Sequence, residues 1–285
     1  MKKKIIILGA NGMLGHVLFN NFSKNNDFIT MGTLRNKEYK KYFKKINRNH
    51  LIINKDIFNF NKLTKIIISF KPDIIINCIG IIKQKKFNNY ENMIMINSLF
   101  PRKLSEICEI YKTKLILIST DCVFLGNKGN YKETDLTDAK DNYGISKILG
   151  EYSKKNNLIL RTSIIGPELK SKNGLLEWLL SEKKFVYGFK NVYFSGVTTL
   201  ELYKILKNYI IFSNLSGIYH IGSKKINKFE LLNLISKIYE KKIDIKPSYK
   251  EKLDRSLNFK KFKLDTGYKN NKWIDMIKDM YQNKN

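Results

Sequence analysis

Three glycines at three-residue intervals, Gly9, Gly12 and Gly15, separate a purely apolar run from a segment of helical character. The run, Ile5 to Leu8, carries no polar side chain, as a parallel strand covered on both faces requires. Residues 16–22 beyond the glycines can continue as a helix. Glycines so placed permit a tight turn, close approach of backbone to a pyrophosphate, and close helix–strand packing. The helix N-terminus adds unpaired N–H groups and partial positive charge. The same glycines are compatible with a plain tight turn. The strand before them and the helix after them select the dinucleotide-binding reading.

Strand and helix patterns then alternate. Residues 28–34, 50–54, 73–80, 114–119 and 158–165 read as further strands, with helices over 59–70 and 91–111, the second kinked or broken at Pro101. This order predicts an α/β fold, a doubly wound parallel (Rossmann) sheet whose ligands lie beyond the carboxyl ends of its strands. Past residue 165 the pattern loosens. A helix over 175–180 containing Trp178, a strand over 217–221, an Asn227/Glu230 capping box and a last helix over 273–281 suggest a smaller C-terminal α/β substrate lobe. The expected division is residues 1–160 for the dinucleotide-binding domain and 161–285 mainly for the substrate lobe, with elements free to interleave.

The second strand is followed by Arg35, with no acid before Glu38. An acid there would bind the ribose 2′-hydroxyl, whereas an arginine accommodates a 2′-phosphate. Arg35 therefore favours NADP(H), with NAD(H) left open, and a bland surface arginine is the competing reading. Asp56 follows the third strand, where it would meet the adenine edge.

Fifty-three Lys and Arg against 25 Asp and Glu give a formal charge of +28, which permits nucleic-acid or anionic-membrane binding. The lysines are spread over the whole chain. Their densest cluster, Lys37, Lys40, Lys41, Lys44, Lys45 and Arg48 with Tyr39, Tyr42 and Phe43, reads first as a solvated helix face. Attraction of an anionic ligand comes second and a nucleic-acid site last, so no nucleic-acid partner is expected. No apolar run reaches the ~18 residues of a membrane span. The Met1–Lys4 charges precede no small-residue cleavage pattern. Cys78, Cys108 and Cys122 are odd in number and lack metal-ligand spacing, and His16, His50 and His220 show none either, so no metal is expected. A cytoplasmic chain follows, and a homodimer stays open.

Tyr143 and Lys147 stand four apart, on one face of a helix. A nearby ammonium favours phenolate and lowers the tyrosine pKa towards neutrality, making it a usable general acid. Such a pair is common by chance in a chain rich in both residues. Its place downstream of the glycine loop and of a strand ending in Ser119-Thr120 raises its weight.

Together, Gly9/Gly12/Gly15, Ser119-Thr120 and Tyr143…Lys147 resemble the extended short-chain dehydrogenase/reductases. STDCVFLGNKGNYKETD from Ser119, NYGISKILGE from Asn142 and LRTSIIG from Leu160 resemble, within them, the dTDP-4-dehydrorhamnose reductase group. The likeness is strong over residues 3–166 and weaker beyond. It implies an NADPH-dependent reductase of a nucleotide-linked 4-keto-6-deoxy sugar serving surface polysaccharide synthesis. It also implies roles: Tyr143 protonates the keto oxygen, Lys147 lowers the Tyr143 pKa and holds the nicotinamide ribose, Thr120 polarises the carbonyl and Asp121 contacts the sugar. Gly12, Met13 and Leu14 would give backbone to the pyrophosphate, Asp56 and Ile57 would flank the adenine, and Ile79, Gly80 and Ile81 would line the cofactor channel. Arg255 falls where relatives bind the nucleotide diphosphate.

Two departures stand out. Ile164 occupies the place of a substrate-facing tryptophan, and the 77–84 segment, including Lys83 and Gln84, lacks the usual alanines. Both point to a different sugar, such as a UDP-linked N-acetylated one. Trp178 and Tyr193 read as pocket wall or core, and Cys122 as packing. A sugar-nucleotide epimerase using the same Tyr and Lys, and a non-catalytic NADP(H)-binding regulator, are the alternatives.

Overall fold

The computed structural model describes residues 2–82 and 90–283; Lys83 and Gln84 lie outside them. The chain forms two compact units, each made of several segments. The first contains residues 1–119, 145–160 and 213–218, and the second 120–144, 161–212 and 219–285. A single cut at residue 160 therefore does not describe the organisation: the chain leaves the first unit at the end of the fifth strand and re-enters it partway along a helix.

The first unit is built on β1 (Lys3–Leu8), α1 (Met13–Ser23), β2 (Phe28–Leu34), β3 (Leu51–Ile53), α2 (Phe60–Phe70) and β4 (Ile74–Asn77). It continues through α3 (Tyr90–Ile94), α4 (Phe100–Ile110), β5 (Lys114–Thr120), α5 (Asn142–Gly150) and β6 (Asn157–Thr162). With β10 (Gly217–His220), these strands form one seven-stranded sheet in the order β10-β6-β5-β4-β1-β2-β3. The register of β1 with β2 and β4, of β2 with β3 and of β4 with β5 is parallel. Order reverses beside β1, which makes its carboxyl end a ligand crevice. Apolar residues of β1, β4, β5, α2 and α4 pack into one core that includes Ile6, Leu8, Leu63, Ile75, Phe100, Leu104 and Leu115.

Several expected elements change. The helix expected over 91–111 is not broken at Pro101. A π-helical turn, Met95–Leu99, joins α3 to α4, and Pro101 falls in the first turn of α4, where its missing N–H costs least. The basic cluster is not one helix but two short 3₁₀ segments, Lys37–Tyr42 and Lys45–His50, pinned by Phe43 edge-on to Phe19 at 5.4 Å. The expected strand over 158–165 stops at Thr162. Ser163 then gives its carbonyl to the Val197 N–H at 2.9 Å, and β7 (Ile164–Ile165) pairs with β9 (Val197–Thr198) in a separate two-stranded sheet. Gly196 permits this, since a Cβ there would stand 1.8 Å from the Ser163 oxygen.

The second unit holds α6 (Leu175–Ser181), β8 (Phe185–Phe194), α7 (Thr199–Ile205), β11 (Ile226–Asn227), α8 (Lys228–Ile238), β12 (Asp244–Asp254), α9 (Lys260–Thr266) and α10 (Trp273–Gln282). A three-stranded sheet ordered β11-β8-β12 supports it, with β12 parallel to β8. Asn227 caps α8 by accepting the Glu230 N–H at 2.8 Å, as its sequence pattern predicts.

Candidate active site

In the first unit the glycine loop is built by steric necessity at two positions and left open at a third. Gly9 has φ +78°, and a Cβ at Gly15 would stand 2.1 Å from the Gly9 carbonyl oxygen. A Cβ at Gly12 would meet nothing closer than 3.4 Å. Gly12 is also the N-cap of α1, with no side-chain cap and no acid in the first turn. Gly12 as N-cap thus offers no side chain to the first-turn N–H groups, which include those of Met13 and Leu14. The Gly9 N–H donates to Thr33 Oγ1 at 3.0 Å, and Asn11 Oδ1 accepts the Arg35 N–H at 3.2 Å. Arg35 is exposed at the end of β2. Asp56, also exposed, accepts the Phe58 N–H at 2.8 Å, and Ile57 packs partly buried on the core.

The Ile79–Ile81 segment is held by two asparagines. Asn77 Oδ1 accepts the Ile79 N–H, and Asn97 Oδ1 accepts the Ile81 N–H at 2.9 Å. Asn97 Nδ2 donates to the Ile81 carbonyl and to Ser146 Oγ. Gly80 is exposed, with Asn97 Oδ1 3.4 Å from where its Cβ would stand. Sequence reading missed Asn97; an asparagine within a helical pattern carries no local sign that its π-helical turn aims it at a loop.

Helix α5 carries both Tyr143 and Lys147, one turn apart. Lys147 Nζ donates to the Ile118 carbonyl at 2.7 Å. Burial pushes its pKa down to about 8, opposed by the charge of Glu151. The expected depression of the Tyr143 pKa is not what the surroundings produce. Burial raises it, the Cys122 side chain adds to this, and a hydrogen bond with Thr120 pulls the other way. The phenol is accordingly a protonated donor at neutral pH.

In the second unit Thr120 caps a 3₁₀ turn, Asp121–Val123, accepting the Cys122 N–H at 3.1 Å and donating to Asp121 Oδ1 at 3.2 Å. Asp121 is buried; that burial raises its pKa, while Arg255 and Lys228 oppose the shift. Arg255 directs Nε to the Phe124 carbonyl at 2.7 Å and Nη1 to Cys122 Sγ at 3.3 Å. It anchors the loop after β5. Cys122 is pushed up to about 12 by burial, in keeping with a packing role.

A cavity of about 360 Å³ lies within this unit, walled by Leu175, Trp178, Tyr187, Phe189, Leu232 and Leu253 among others, with Lys228, Glu251 and Lys252 also on its lining. Trp178 is thus cavity wall. Tyr193 instead carries the Lys225 ammonium 4.5 Å from its ring centroid. Ile164 is partly buried in β7. Lys228 was missed by sequence reading; its ammonium lies 4.4 Å from the Phe194 ring centroid, and burial lowers its pKa against the pull of Asp121. His220 is structural, its Nδ1 3.0 Å from the Tyr131 carbonyl oxygen.

A parallel sheet with this glycine loop, a strand ending in Thr120 and a helix bearing Tyr143 and Lys147 follow one another in the order that the resemblance to the extended short-chain dehydrogenase/reductases implies. The family model of the RmlD substrate binding domain matches residues 2–184, and the chain belongs to that family. Over 172 residues it is 26% identical to methionine adenosyltransferase 2 subunit beta of Bos taurus, covering 59% of this chain and 48% of the relative. Over 114 residues it is 34% identical to dTDP-4-dehydrorhamnose reductase of Aggregatibacter actinomycetemcomitans, covering 38% and 39%. The chain thus spans about half or less of the length of these curated relatives. The solved dTDP-4-dehydrorhamnose reductase of Bacillus anthracis str. Ames, in complex with NADP, matches with a TM-score of 0.80 at 21% identity, covering 100% of this chain and 99% of that one. That likeness shows the fold.

Proposed function

We propose that this chain is an NADPH-dependent reductase of a nucleotide-linked 4-keto-6-deoxy sugar. The observation that carries the proposal is the Tyr143 phenol, kept protonated by burial and hydrogen-bonded to Thr120 one turn before Lys147 on α5. The glycine loop suits a dinucleotide: Gly9 and Gly15 close the turn, and Gly12 presents backbone alone at the N-terminus of α1. Met13 and Leu14 would give N–H groups to the pyrophosphate, Arg35 would take a 2′-phosphate, Asp56 and Ile57 would flank the adenine, and Ile79, Gly80 and Ile81 would line the nicotinamide side. When bound, NADPH supplies a hydride to the keto carbon. Tyr143 gives its proton to the keto oxygen, so carbonyl becomes alcohol, and Thr120 polarises that oxygen. Lys147 holds ribose hydroxyls and its positive charge stabilises the phenolate left on Tyr143. The NADP complex of the Bacillus anthracis relative supports the cofactor, with NAD(H) the lesser choice.

Asp121 would contact the sugar beside Ile164. The aromatic cavity walls suit a nucleobase, and Lys228 is a cation for an oxyanion of the same ligand. A cytoplasmic enzyme with no nucleic-acid partner belongs to the same proposal, with a homodimer left open; among the described residues no helix is long and apolar enough to cross a membrane.

Tyr143→Phe removes only the transferable proton. Turnover should fall ~10²–10⁴-fold with NADPH affinity unchanged; near-parent turnover would remove Tyr143 as the acid. The likeness to a methionine adenosyltransferase subunit favours, as a second reading, a cofactor-binding subunit of another enzyme. Under that reading Tyr143→Phe changes nothing measurable in NADPH binding, and the parent turns over no keto sugar.

A further inference from the structure

The end of α5 carries a carboxylate that the chemistry above does not use. Glu151 follows the last helical residue, Gly150, and its N–H donates to the Ile148 carbonyl at 3.1 Å. A negative charge at a helix C-terminus opposes the helix dipole, a cost of ~0.3–1 kcal/mol near the surface. Two contacts offset it. Ser119 Oγ donates to Glu151 Oε1 at 2.5 Å, and Lys147, one turn earlier on the same face, feels the carboxylate charge.

Lys147 in turn donates to the carbonyl of Ile118, the residue before Ser119. Consecutive residues of β5 are therefore each gripped by side chains one turn apart at the end of α5. The helix end is fixed as well. A Cβ at Gly150 would stand 1.9 Å from the Asn97 carbonyl oxygen, and Ser98 Oγ donates to the Ser146 carbonyl at 2.7 Å. Among the described residues, the groups that face this corner from β5 (the Ile118 carbonyl, the Ser119 hydroxyl) and from the 95–99 turn (Asn97, Ser98) are neutral. Tyr143 is the other titratable group on this face of α5. Glu151 is the charged group that acts against the desolvation of Lys147.

We propose that Glu151, clamped by Ser119, is the positioning residue for Lys147: the two side chains grip consecutive residues of β5, and the clamp fixes the Lys147 ammonium at the end of that strand. The consequence for turnover rests on the reductase reading; the titration of the lysine does not.

The test is trace acetylation with acetic anhydride at a series of pH values, read at the Lys147 peptide by mass spectrometry, beside NADPH dissociation constants at the two ends of the series. In the parent, Lys147 reactivity should rise through a midpoint near about 8. Glu151→Gln keeps an oxygen for Ser119 and removes the charge. It should lower the midpoint by about one unit, leaving up to ~10-fold less ammonium at a given alkaline pH. NADPH affinity should then weaken several-fold at mildly alkaline pH and stay near the parent value at mildly acidic pH. Ser119→Ala should shift the midpoint the same way by less, and it decides the matter if Glu151→Gln does not fold. A Glu151→Gln midpoint equal to the parent's overturns the proposal, as does an equal loss of NADPH affinity at both pH values. A parent that binds no NADPH sinks the reductase reading, while the labelling midpoint still decides the role of Glu151.

Discussion

At the glycine loop the hydrogen-bonding partners are local: Thr33 receives the Gly9 N–H and Asn11 receives the Arg35 N–H, each across 24 residues. At the loop after β5 local bonds are joined by remote ones. Arg255 reaches Phe124 across 131 residues and Cys122 across 133, and Lys228 lends its charge to Asp121. The first loop is shaped by backbone crowding between neighbouring elements, the second by long charged side chains brought in from the far end of the chain. Backbone shape of the first kind is written in short motifs. Electrostatic support of the second kind depends on the finished fold, so it should respond to pH and to single distant substitutions.

The largest effect expected in the second unit is at His220. Burial, with Arg161 adding to it, pushes this imidazole down to about 4 from an ordinary value near 6.5. Between those pH values the unfolded chain takes up a proton that the folded chain refuses, so stability is lost as pH falls through that window. Integrated over it, the loss approaches ~3 kcal/mol. Denaturant unfolding of the parent and of His220→Asn at neutral and acidic pH should show this loss in the parent alone; parallel slopes would break the contrast with the first unit.

Backbone crowding in the glycine loop predicts a split between two substitutions of one type. Gly15→Ala should cost ~1–3 kcal/mol of stability, because its new methyl meets the Gly9 carbonyl. Gly12→Ala should leave stability within ~0.5 kcal/mol and weaken NADPH binding instead. Thermal melts and cofactor titration separate the two, and equal destabilisation would mean that Gly12 serves the fold alone.

Removing the remote anchor comes next in size. Arg255→Met leaves the Phe124 carbonyl without its donor and Asp121 with less counter-charge, at ~1–2 kcal/mol. The melting temperature should fall while the KM for the sugar nucleotide is kept. A raised KM with unchanged stability would put Arg255 in a ligand role. Smallest in stability terms is Arg35→Asp, an exposed change that should shift preference from NADPH towards NADH; an unchanged ratio removes Arg35 from cofactor choice.

The same contrast explains what was legible in the sequence. Gly9, Gly12 and Gly15 announced the first loop because sterics at a strand–helix turn admit few residues. Tyr143 and Lys147 were legible because helical spacing sets them one turn apart downstream of the glycine loop and of a strand ending in Ser119-Thr120. The second unit hid its main sheet: β8 and β12 pair in parallel although far apart in sequence, and Pro247 argues against a strand until β12 is seen to be an edge. The break at Ser163 hid inside a segment of strand-forming residues, since Gly196, brought up from elsewhere, lets the chain be redirected there. Asn97 and Lys228 gain their roles from a π-helical turn and a cavity that no local pattern marks. The depressed Tyr143 pKa expected from a neighbouring lysine gave way to burial, a property of the folded chain.

The most direct measurement is NADPH oxidation by the parent chain with a dTDP-4-keto-6-deoxyhexose and a UDP-4-keto-6-deoxy-N-acetylhexosamine side by side. Stoichiometric oxidation with one of them, abolished in Tyr143→Phe, is the expected result and fixes nucleotide and sugar together. A parent chain that binds NADPH yet oxidises it with neither sugar would contradict the reductase assignment.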